Sequence, residues 1–97
     1  MTYEANEMHV IRVPYTTDPE RRRAIFERVQ AKLGRHGTCQ GTPEEGSFRG
    51  STPIGRFAGH YRSLDGSGIL EIELMEKPWL ISVSWIEHEL RRFLNAT

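Results

Sequence analysis

Ninety-seven residues, 37% hydrophobic and 27% charged, describe one domain of ordinary soluble composition. A chain of this size buries roughly 60–70% of its unfolded surface, enough for a modest core. Thirteen basic side chains balance thirteen acidic ones, so no net field points to nucleic acid or an anionic membrane.

No apolar run approaches the roughly 18 residues of a membrane-spanning helix. The single cysteine excludes an internal disulfide, and a reducing, cytoplasmic setting is expected. Residues 1–7 are polar, with Glu4 and Glu7, unlike a secretory signal or an Arg-rich transit peptide. They are expected to form a flexible tail, and 8–97 a single α+β domain.

Met8 to Val13 alternates as a first strand and Pro14 closes it. Thr17-Asp18-Pro19-Glu20 predicts a helix start, with Thr17 as cap and Glu20 three residues on. Ile25, Phe26, Val29 and Leu33 make its apolar face, and Gly34 its stop. Short strands are expected near Thr38–Gln40 and at Ser47-Phe48-Arg49. Ile54 to Leu64 reads as a long strand, with Phe57 and Tyr61 on one face and Arg56, His60 and Arg62 on the other.

Asp65-Gly66-Ser67-Gly68 then predicts a hairpin turn into the strand Ile69–Leu74. Leu70, Ile72 and Leu74 share its inner face, and Glu71 and Glu73 its outer face. The turn predicts a register in which Leu64 opposes Ile69, Arg62 opposes Glu71 and His60 opposes Glu73. Tyr61 then meets Ile72, and Gly59 meets Leu74. Opposite charges pair on the outer face, each worth ~0.2–1 kcal/mol.

Trp79 to Trp85 fits both a strand period and a helix stripe. The β-branched residues and a capping box at Ser84 and Glu87 favour an extended segment to about Val83 and a helix from about Ser84. Ile86, Leu90, Phe93 and Leu94 form that helix's stripe. The expected architecture is an antiparallel sheet of four or five strands with two helices on one face, in the order β-α-β-β-β-(β)-α.

No reaction is legible. The four histidines and Cys39 lack the ligand spacing of a zinc site, so no metal and no cofactor is expected. Neither Cys39 nor any serine has a nucleophile's context. Glu71 and Glu73 read as a solvated strand face, and Arg21–Arg23 as a solvated helix face, since no aromatic stacking set accompanies the arginines. The glycines of 46–59 lack the pattern of a phosphate loop. Trp79 and Trp85 read first as core. If exposed, they join Leu80 and Ile81 in an apolar interaction surface.

The order Phe48-x-Gly50, Phe57-x-Gly59, the turn at Asp65, the acidic strand Leu70–Leu74, Pro78-Trp79-Leu80, and Ile86-Glu87-x-Glu89-Leu90 to Leu94 resembles the polyhydroxyalkanoic acid system protein family. His9-Val10-Ile11 and the Arg-rich helix ending at Gly34 resemble that family's first part. These are small bacterial proteins associated with polyester storage granules, without established catalytic residues. The resemblance implies a non-enzymatic, granule-associated or protein-interaction module, whose surface would be Trp79, Leu80, Ile81 and Trp85. Its partner would be a polyester granule surface or a protein, and an open charged sheet face leaves a homodimer possible. The second reading is a binder of a small apolar ligand, in an unfilled pocket between helix and sheet lined by residues such as Phe57, Tyr61, Ile72 and Phe93.

Overall fold

In strand β1, His9–Pro14, Ile11 and Val13 are fully buried while the alternate residues Val10 and Arg12 are exposed. Alternation along the chain thus decides which face meets the core. The computed structural model describes residues 9–64 and 66–95, and the tail expected at 1–7 lies outside them. Helix α1, Pro19–Leu33, follows β1, and a short 3-10 turn at Gly34–His36 leads on from it. Four strands come next: β2 (Gly37–Gly41), β3 (Glu45–Thr52), β4 (Gly55–Leu64) and β5 (Ile69–Glu76). Helix α2, Val83–Asn95, closes the order. The five strands form one antiparallel sheet in the order β1-β5-β4-β3-β2. This is the expected α+β class, with all five strands formed.

The β4–β5 register is the predicted one. Leu64 faces Ile69, Arg62 faces Glu71, Tyr61 faces Ile72, His60 faces Glu73 and Gly59 faces Leu74. Beyond Gly59 the pairing slips, and Ala58 meets Glu76. Leu70, Ile72 and Leu74 are buried on the inner face as expected. β3 is longer than Ser47-Phe48-Arg49. β4 pairs with it along its whole length and β2 along 46–50, so its glycines do not interrupt it.

Both helix starts differ from expectation. Asp18, not Thr17, caps α1: the Glu20 amide donates to Asp18 Oδ1 at 3.2 Å, and Pro19 takes the first helical position. Proline has no amide to satisfy there, so the residue directly before it makes the cap. Ser82, not Ser84, caps α2, its Oγ accepting from the Trp85 amide at 3.1 Å. The expected extended segment to Val83 is instead a turn, in which the Ile81 amide donates to the Pro78 carbonyl at 3.1 Å. Lys77 stabilises this turn, its Nζ donating to the Ile81 carbonyl at 2.6 Å. The reversal brings the cap forward by two residues, from Ser84 to Ser82, and Val83 enters the helix. Gly34 ends α1 at φ +48°, a backbone region that glycine tolerates best.

Ile25 of α1 and Leu94 of α2 join Tyr61, Ile72 and Leu74 in one apolar cluster, which places both helices on the same face. Helix α1 packs on β2 and helix α2 on β1, the two edges of the sheet.

Candidate functional site

Helices seated on opposite edges leave the middle strands without a close-packed cover. A cavity of about 340 Å³ lies there, between α1, α2 and the inner face of the sheet. Its walls are apolar. Phe26 and Val29 come from α1, Ile86 and Leu90 from α2, and Ile72 and Leu74 from the floor. Phe57, Tyr61, Ile72 and Phe93, named from sequence as the lining of such a pocket, all border it. One contact links the two helices: the Arg28 guanidinium of α1 lies 4.7 Å from the centre of the Phe93 ring of α2.

Two tyrosines tie down one end. Tyr61 OH donates to the Thr42 carbonyl at 2.6 Å, and Tyr15 OH donates to the Pro43 carbonyl at 2.8 Å. Both hold the β2–β3 turn across the sheet. Cys39 Sγ donates to Tyr61 OH at 3.9 Å. The phenol protons are therefore engaged, and this end offers an incoming molecule little but hydrocarbon. Burial pushes Tyr15 up to about 12, although the Arg22 guanidinium 4.9 Å from its ring pulls the other way. Burial likewise raises Tyr61, with Cys39 adding to the effect. It raises the Cys39 thiol too, the reverse of what a thiolate nucleophile needs.

The other end is bordered by Thr52, Phe57, Lys77, Pro78, Ile81 and Trp85. Here the chain exposes its largest apolar side chains. Trp79 is 83% exposed, Leu80 62% and Trp85 54%, with Ile54 also exposed. The β3–β4 turn at 53–54, which carries Ile54, adjoins the turn at Pro78–Ile81, since a methyl group on Gly55 would lie 3.1 Å from Pro78 Cβ. Of the four residues expected to form an interaction surface, Ile81 is half-buried against the cavity, Trp85 borders it while remaining exposed, and Trp79 and Leu80 face solvent. The core reading of Trp79 and Trp85 is thus corrected. The turn at 78–81 carries Trp79 away from the sheet, and Trp85 lies beside, not on, the stripe of Ile86, Leu90, Phe93 and Leu94 on α2.

The remaining candidates are dispersed. Arg21 and Arg23 are exposed. Arg22 is turned inward, donating to the Thr16 carbonyl at 2.6 Å and lying 3.7 Å from Glu44. Glu71 is buried on the outer sheet face, between Arg12 at 2.8 Å and Arg62 at 3.1 Å. The hydrogen bond from Arg62 first, and that from Arg12, hold its carboxyl below the usual carboxylate range against the opposing effect of desolvation. Arg12 was not foreseen as a partner, because β1 pairs with β5 across most of the chain. His36 is exposed and Cys39 buried. Among the described residues no group of three or more His, Cys, Asp or Glu side chains is placed to hold a metal ion. No described helix is long and apolar enough to cross a membrane.

No protein-family model matches the chain. No curated protein and no solved structure matches it either.

Proposed function

We propose that this protein binds a small apolar ligand between its two helices and its sheet, without transforming it. The observation that carries this reading is the cavity itself. Apolar space in a protein interior is normally filled, because each missing contact forfeits dispersion energy. Here a volume of about 340 Å³ stays open under helices that rest on the sheet's edges. It lies within the range of small-ligand sites.

The test is calorimetric titration with octan-1-ol, repeated on Val29→Phe and Leu90→Phe, which fill the space from either helix. Saturable binding to the parent chain, lost in both filled variants while they stay folded, supports the reading. Equal binding by parent and filled variants removes it.

A second reading rests on a different observation. Trp79, Leu80 and Trp85 form an exposed apolar group, suited to docking on an apolar surface such as a polyester granule or a protein partner. Co-sedimentation with washed granules at high salt, lost in Trp79→Ala, supports it. Sedimentation that disappears with added salt counts against it.

A further inference from the structure

We infer that the cavity takes an anionic amphiphile, its hydrocarbon tail inside and its acidic head at Lys77. This rests on the cavity-binding reading above and adds the chemistry of the ligand's polar end. Lys77 is the charged side chain in the cavity's lining. It is half-buried, and its Nζ is turned to the carbonyls of Pro78 and Ile81, at 3.4 and 2.6 Å. Its methylene stem therefore borders the apolar space while its ammonium stays at the rim. Two carbonyls use two of the three ammonium donors. No carboxylate pairs with Lys77 among the described residues, and of the basic side chains without an ion pair it alone lines the cavity. The adjoining Glu76 is exposed and forms no ion pair with it.

The surroundings sharpen the sign. Ile81 directly precedes Ser82, the cap of α2, so the ammonium sits beside the positive end of a 13-residue helix. A cation at that end of a helix is unfavourably placed on its own, and an anion joining it relieves both charges. The opposite end of the cavity, where Tyr15 and Tyr61 have their hydroxyl protons engaged, provides no comparable partner for an acidic group. A tail that reaches toward the tyrosines thus leaves its head among Lys77, Pro78 and Ile81. The exposed Trp79 and Leu80 flank that position.

The experiment compares octanoate with octan-1-ol at pH 7 by calorimetric titration of the full chain. The alcohol tests the cavity alone, and the acid tests the cavity with Lys77. Octanoate is expected to bind about tenfold more tightly, as a charge-assisted contact at a partly desolvated rim allows. Lys77→Gln should weaken octanoate binding more than octan-1-ol binding and so abolish that preference. Lys77→Arg should retain the preference, which separates charge from any loss of the turn that Lys77 stabilises. Equal binding of acid and alcohol by the parent chain overturns the inference while leaving the cavity reading intact. Loss of both ligands in Lys77→Gln and in Lys77→Arg also overturns it, since Lys77 would then act only by shaping the turn. Binding of neither by the parent overturns both readings.

Discussion

Arg62 Nη2 donates to Glu71 Oε1 at 3.1 Å, and the two residues lie directly opposite each other across β4 and β5. Arg12 Nε reaches Glu71 Oε2 at 3.0 Å from the other side, so one carboxylate joins three strands. The lowered proton affinity of Glu71 fixes the sign of its pH dependence. In the unfolded chain a glutamate titrates near 4.3, and in the folded chain it titrates lower. Below that unfolded value the unfolded state takes up the proton first. The contribution of Glu71 is therefore complete above pH ~4.3 and is lost as pH falls through the folded value. Urea unfolding from pH 7 to pH 3 should show the parent and Glu71→Gln converging on acidification. Parallel curves would rule this out.

Gly59 is a point of close approach. A methyl group there would collide with the Glu73 carbonyl and come within 2.6 Å of Phe48 Cζ. The floor of the cavity needs both the ladder and that ring in place. Gly59→Ala is expected to destabilise the fold by about 1–3 kcal/mol, read from the denaturant midpoint at unchanged slope.

Core and cavity wall should respond differently to truncation. Ile11 is 1% exposed and packed on all sides, so Ile11→Ala should cost about 2–5 kcal/mol. Leu90 is half-buried and already borders open space, so Leu90→Ala should cost less. It should also lengthen the longest alcohol chain that binds. Denaturant unfolding and a titration series of alcohols measure the two effects.

The tryptophans report separately. Trp85 borders the cavity and Trp79 faces solvent. Octan-1-ol should shift the emission of Trp79→Phe, which retains Trp85, and leave that of Trp85→Phe unchanged. The opposite pattern would place the ligand on the exposed turn instead.

The β4–β5 hairpin was legible in the sequence because charge and hydrophobicity choose the same register: Arg62 with Glu71, and Tyr61 with Ile72. The start of α2 was not. Ser84 with Glu87 imitates a capping box, and only the turn at Pro78–Ile81, stabilised by Lys77, brings Ser82 forward into that role. The same turn exposes Trp79, whose large ring otherwise reads as core. Part of the cavity was visible, since Phe57, Tyr61, Ile72 and Phe93 recur on apolar faces. Lys77 was not, because a lysine before a proline carries no periodic signal. Its place at the rim depends on where the chain turns. Arg12 was missed for a related reason: its carboxylate partner lies on a strand 59 residues away.

The most direct measurement is methyl NMR of the isotope-labelled protein during titration with octan-1-ol. Saturable shifts should concentrate on Ile25, Val29, Ile72 and Leu90, which line the space between helices and sheet. Val10, on the outer face, should stay fixed. Shifts confined to Leu80 in the exposed turn, or no saturable shifts at all, would contradict a ligand held inside the fold.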